Sequence, residues 1–137
     1  MKKYMLDTNM ISHIVKLNPN VISQLKKHSM QNIFISAITY MEINYGLAKK
    51  PQAHKLKCLV DNVVKNITIL PFDAQMSKKC GLFKAEIEAQ GKNLSPFDLL
   101  IAGHAYHTGC TLVTNDKAFQ QIALLDIEDW TVPTSNS

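Results

Sequence analysis

Tyr4-Met5-Leu6-Asp7-Thr8-Asn9 decides how the rest of the chain is read: an apolar run stops on an aspartate followed by two small polar residues. A short apolar run bounded by turn formers fits a central parallel strand covered on both faces. Ligands of open α/β sheets gather beyond the carboxyl ends of such strands, which puts Asp7 where functional groups collect. The same residues also suit a helix N-cap, because Asp, Thr and Asn accept hydrogen bonds from the free amides of a helix starting near Met10. On this stretch alone the capping role and the functional role stand level.

Working outward, 137 residues with 46% apolar side chains suffice for one core, so a single domain over 1–132 with a polar tail at 133–137 is expected. The apolar residues after Met1-Lys2-Lys3 are broken at once by Asp7 and Asn9, so no signal peptide is expected. Nor does any apolar run reach the roughly 20 residues of a membrane span. A cytoplasmic protein is the expectation. Cys58, Cys80 and Cys110 are odd in number, widely separated and lack metal-ligand spacing, which reads as three buried free thiols. The net charge of +4 permits a nucleic-acid partner without requiring one. All 15 basic residues are lysine, so any phosphate contact from this chain uses an ammonium, an amide or a metal and never a bidentate guanidinium.

Strands and helices then alternate. Asn18-Pro19 starts a helix that ends near Lys26-Lys27-His28. Ile33-Phe34-Ile35 is a second strand, and Ser36 caps a helix running to about Ala48. On that helix Ile38, Met41, Tyr45 and Ala48 are spaced as an inward stripe, and Glu42 beside it is expected to point along the buried side. A buried carboxylate requires a cation or a donor network, so Glu42 stands out. Leu56, Leu59, Val60 and Val63 mark another helix, Ile67-Thr68-Ile69-Leu70 a third strand, and Asp73 caps a long helix with Met76, Cys80, Phe83 and Ile87 inward. Gly91 stops it, and Glu86 and Glu88 fall on its surface. Ser95-Pro96-Phe97-Asp98 opens a helix with Asp98 in its first turn and Gly109 as its stop. As structure alone, Asp98 is a favourable acid near a helix N-terminus. His104 is read as a packed histidine of that helix. Thr111-Leu112-Val113 is a fourth strand ending on Thr114-Asn115-Asp116, much as the first ends on Asp7. A short helix at Ala118-Phe119-Ile122 and an edge strand at Ile127-Glu128-Asp129-Trp130 complete the chain. The pattern predicts a three-layer α/β sandwich around a mostly parallel sheet of about five strands.

Asp7, Glu42, Asp98 and Asp116 all fall just beyond strands or in early helix turns. Gathered at one sheet edge, four carboxylates repel one another and raise their own pKa values unless a cation joins them. Oxygen-only ligation without His or Cys favours Mg²⁺ or Mn²⁺, as in phosphodiester-cleaving enzymes.

The segments LDTN around Asp7, ISAITYMEINYG around Glu42, SPFDLLIAGHA around Asp98, and VTND with Phe119 and the IEDW ending together resemble a PIN-domain ribonuclease, and within that superfamily the VapC toxins of VapBC toxin-antitoxin modules. The resemblance implies a PIN-like α/β/α fold and a metal-dependent endoribonuclease. Asp7 and Asp98 would bind Mg²⁺ or Mn²⁺ directly, Asp116 would complete the site, and Glu42 would ligate or orient the attacking water. Thr8, Asn9, Ser36, Thr114 and Asn115 would support the ligands or touch the substrate. Many relatives carry Asn where Asp116 stands, so this chain departs from them there. Glu86 falls where relatives often have an acid, but its surface position leaves it out. The resemblance further implies a homodimer, a VapB antitoxin that plugs the acidic cleft within a higher-order complex, and tRNA cut in the anticodon stem-loop, the initiator tRNA first. Lys2, Lys3, Lys49, Lys50 and Lys92 are candidates for the flanking phosphates. Two other classes compete: a PIN module without activity that binds RNA or protein, and a phosphoaspartyl phosphatase or receiver with Asp7 as nucleophile. Dehalogenase-like phosphatases need a second Asp where Asn9 stands.

Overall fold

A computed structural model describes residues 1–133, so the expected tail falls, apart from Pro133, outside the described residues. The strands are β1 (Lys3–Leu6), β2 (Ile33–Ser36), β3 (Thr68–Leu70), β4 (Cys110–Val113) and β5 (Ile127–Glu128). The helices are α1 (Thr8–Val15), α2 (Pro19–Leu25), α3 (Ala37–Ala48), α4 (His54–Val64), α5 (Ala74–Ala89) and α6 (Pro96–Thr108). Single 3₁₀ turns occur at Met30–Asn32 and Lys117–Gln121. The sheet order is β3-β2-β1-β4-β5 and every pairing is parallel.

β1 is central, and its residues alternate between two cores as a strand covered on both faces must. Tyr4 and Leu6 join Ile33, Ile35 and Val113 under α1, α2 and α4. Met5 joins Leu112 under α5 and α6. The chain lays down β2 and β3 on one side of β1, then returns to place β4 on the other. Strand order therefore reverses at β1, and the crevice above β1 and β4 is where an open α/β sheet binds its ligand.

The helix starts follow the sequence closely. Asn18, Ser36, Asp73 and Ser95 each accept a backbone N–H as N-caps, and Gly109 ends α6 at φ 71° in the left-handed region. Three expectations are corrected. The buried side of α3 carries Thr39 and Ile43 with Leu47 half-buried, whereas Met41 and Tyr45 are exposed. Cys58 is exposed, and only Cys80 and Cys110 are buried. β5 ends at Glu128; Trp130 lies past it, fully buried, its Nε1–H donating to Glu128 Oε1 at 2.9 Å. No helix among the described residues is long and apolar enough to cross a membrane.

Candidate active site

Asp7 directly follows β1. Its N–H donates to the Val113 carbonyl at 3.1 Å, which keeps the main chain in register, and its Oδ1 accepts the Met10 N–H at 2.9 Å as the N-cap of α1. Asp7 therefore does cap a helix, yet its surroundings are unlike those of an ordinary cap. Its side chain is nearly closed off from solvent, and burial pushes its pKa up to about 6. The Thr114 hydroxyl and the Met10 N–H pull the other way, while the charges of Asp116 and Asp98 add to the rise. These three acids, from distant parts of the chain, thus share one corner above β1 and β4.

Each neighbour is set by its own local structure. Asp98 sits in the first turn of α6, where the Ser95 hydroxyl accepts its N–H at 3.1 Å. Its carboxyl is half-buried, and that burial raises its pKa against the Ser95 side chain, with Asp116 adding to the rise. Asp116 caps the 3₁₀ turn, accepting the Ala118 N–H at 2.9 Å, and donates its own N–H to Thr114 Oγ1 at 3.0 Å. Thr114 is buried between them: its Oγ1 accepts the Asp116 N–H, and its hydroxyl favours the charged form of Asp7. Glu42 enters from α3: the Thr8 hydroxyl, next to Asp7, donates to Glu42 Oε1 at 3.1 Å. Its inward direction was expected, although the helix face carrying it is that of Thr39 and Ile43.

No ion pair among the described residues involves Asp7, Glu42, Asp98 or Asp116. The acids are held together by backbone geometry with no lysine to neutralise them. That arrangement is costly by itself and suits a hard cation. The donor set fits such an ion, all carboxylate and hydroxyl oxygen. Among the described residues no three His, Cys, Asp or Glu side chains already close on one point. Asp7 is turned to Met10 and Thr114, Glu42 to Thr8, and Asp116 to Ala118.

The supporting residues divide by exposure. Asn9 and Asn115 are exposed and can face a substrate. Ser36 cannot: it is fully buried, with its oxygen accepting the Ile38 N–H at 3.0 Å and lying 2.8 Å from His104 Nδ1. Its hydroxyl organises α3 from inside. The lysines divide too. Lys2 and Lys3 stand at the amino end of β1, and both ammoniums are already engaged, Lys2 by Glu128 at 2.8 Å and Lys3 by the Thr108 carbonyl at 2.9 Å. Neither is free for a phosphate at the acids. Lys49 and Lys50 instead join Lys16 on the rim of a groove of about 370 Å³ between α1, α3 and α4. Thr8 and Glu42 also line that groove, together with the apolar Ile11, Val15, Ile43 and Val60. Sequence reading missed this groove, because its lining comes from three separate helices and their ends and carries no local signal.

Compared with known proteins, residues 4–125 match the model of the PIN domain family. The chain belongs to the PIN-domain family. Within it, the chain is 34% identical over 131 residues to the tRNA(fMet)-specific endonuclease VapC of Shigella flexneri, covering 95% of this chain and 99% of that one. The PIN fold superposes on VapBC from Salmonella typhimurium, solved bound to DNA, with a TM-score of 0.84 at 34% identity over 95% of this chain and 99% of that one. VapBC2 from Rickettsia felis, bound to a promoter DNA fragment, gives a TM-score of 0.83 at 32% identity over 93% and 98%. This PIN domain thus has proteins named as VapC ribonucleases for relatives along nearly its whole length.

Proposed function

We propose that this PIN domain is a divalent-metal-dependent endoribonuclease, the toxin of a toxin-antitoxin pair, that cuts tRNA in the anticodon stem-loop and takes the initiator tRNA first. The carrying observation is the set of three electrostatically coupled acids, Asp7, Asp98 and Asp116, at the point of strand reversal with no lysine among them. The substrate reading draws on the Shigella flexneri relative, which is named for tRNA(fMet). A phosphatase reading of the dehalogenase-like type needs a second Asp where Asn9 stands.

Asp7, Asp98 and Asp116 would hold Mg²⁺ or Mn²⁺, which supplies an activated water and positive charge for the in-line displacement at phosphorus. Glu42, turned by the Thr8 hydroxyl, orients the attacking water from the α3 side. Thr114 holds the Asp116 main chain at 3.0 Å and lies close enough to Asp7 to favour its charged form, so little has to reorganise during the reaction. Asn9 and Asn115 contact the RNA, and Lys49 and Lys50 hold flanking phosphates as point charges.

Partners follow the same logic. The solved neighbours are VapBC complexes, and a VapB antitoxin silences this toxin by covering the acids and filling the apolar groove that Glu42 lines. The toxin itself is a homodimer, with Tyr40 and Met41 exposed on α3 as apolar surface for self-association, and VapB builds it into a larger assembly in the cytoplasm. The test is incubation of initiator and elongator tRNAs with the purified protein and Mg²⁺ or Mn²⁺. A single cut in the initiator tRNA is expected, lost on chelation and reduced about 100-fold or more by Asp98→Ala. Cleavage that survives both treatments contradicts the assignment.

A further inference from the structure

His104 is wholly buried on α6, six residues past Asp98, and its Nδ1 lies 2.8 Å from the Ser36 hydroxyl oxygen. Ser36 in turn caps α3, six residues before Glu42. In each helix six residues advance about 9 Å along the axis, so one buried hydrogen bond ties together the two helices that carry Asp98 and Glu42. Ser36 Oγ accepts the Ile38 N–H at 3.0 Å, which leaves its own proton available for donation to Nδ1. With Nδ1 accepting, Nε2 carries the hydrogen; Nε2 has no hydrogen-bond partner among the described residues, although the Pro71 carbonyl acts on the ring to favour its protonated form. Phe72 packs edge-on to the ring at 5.1 Å and fixes its plane. Burial also holds the imidazole below its usual range, consistent with a neutral ring.

We propose that His104 is a positioning residue: as a neutral acceptor for the Ser36 hydroxyl it sets the separation between Glu42 and Asp98. The proposal rests on the ribonuclease reading above, in which those two acids act on one substrate. A buried His on an apolar helix face is otherwise mere packing, and packing does not care which ring nitrogen meets Ser36. That difference is what the test exploits.

Asn places a carbonyl oxygen near the position of Nδ1, whereas Gln places its amide near Nε2, so His104→Asn keeps the acceptor and His104→Gln loses it at similar size and polarity. On tRNA cleavage, His104→Asn is expected to keep kcat within about threefold of wild type, and His104→Gln to lose about tenfold or more with KM within about twofold. Ser36→Ala, which leaves the ring untouched, is expected to match His104→Gln, and combining the two is expected to cost no more than either alone. Equal kcat for the Asn and Gln variants, or a normal kcat for Ser36→Ala, overturns the proposal while leaving the ribonuclease reading intact. Wild-type protein that cuts no RNA overturns both. Independently of activity, ¹⁵N chemical shifts of His104 in the wild-type protein are expected to report protonated Nε2 and bare Nδ1. A protonated Nδ1 overturns the acceptor role.

Discussion

At the scale of single residues the account turns on Asp7, which the fold stabilises in its protonated form. Its folded pKa, about 6, lies above the ordinary 3.8, so its contribution to stability is fully present below pH 4 and is lost as pH rises through 6. A shift of that size corresponds to about 3 kcal/mol at neutral pH, an upper figure. Asp7→Asn keeps the acceptor for Met10 and removes the charge. In metal-free protein at pH 7.5 it is expected to raise stability by about 1 to 3 kcal/mol, to flatten the decline between pH 4 and 6, and to abolish cleavage. Thermal melts across pH check this; a variant less stable than wild type at pH 7.5 contradicts it. Thr8→Val, nearly isosteric, removes the donor to Glu42 and is expected to lower kcat about five- to tenfold with an unchanged melting temperature. An unaltered kcat would show that Glu42 needs no such orientation. The inward direction of Glu42 was legible in the sequence, but for a partly mistaken reason: apolar Met41 and Tyr45 suggested the inward face, and tertiary packing chose Thr39 and Ile43 instead.

At the scale of elements, α5 and α6 pack closely because Gly103 presents no side chain between them. A Cβ at Gly103 would meet Cys80 Sγ at 2.9 Å and Phe83 Cδ2 at 3.3 Å. Gly103→Ala is therefore expected to destabilise by about 1 to 3 kcal/mol in urea titration, with Cys80→Ala in the same chain recovering part of the loss. Strict additivity of the two losses would place the clash elsewhere. The same packing makes Cys80 inert, since burial pushes its thiol up to about 11. Native protein is expected to show about one fast-reacting thiol, that of Cys58. Two or more fast thiols would mean that the helical layers open readily. Helix starts were legible because Ser36, Asp73 and Ser95 carry their own caps, a local chemistry that needs no tertiary information. The end of β5 was not, because Trp130 continues the apolar pattern and yet packs outside the strand in a cluster with Tyr4 and His28.

At the scale of the whole molecule, parallel strand order does what no segment can do alone. It brings Asp7 and Asp116 beside each other above β1 and β4, and the first turn of α6 brings in Asp98. That four strand-end or early-helix acids would share one edge could be read from alternation and motif order; that Lys2 and Lys3 would be engaged by Glu128 and Thr108, and that a groove lined by Glu42 would open between three helices, depended on how the layers close. The central claim is that these carboxylates, left without a lysine among them, jointly take up a divalent cation. Isothermal titration of Mn²⁺ into the metal-free protein at neutral pH tests it most directly. Saturable uptake is predicted, weakened about tenfold or more by Asp98→Asn in a variant whose circular dichroism matches wild type. No uptake, or uptake indifferent to Asp98→Asn, would contradict it.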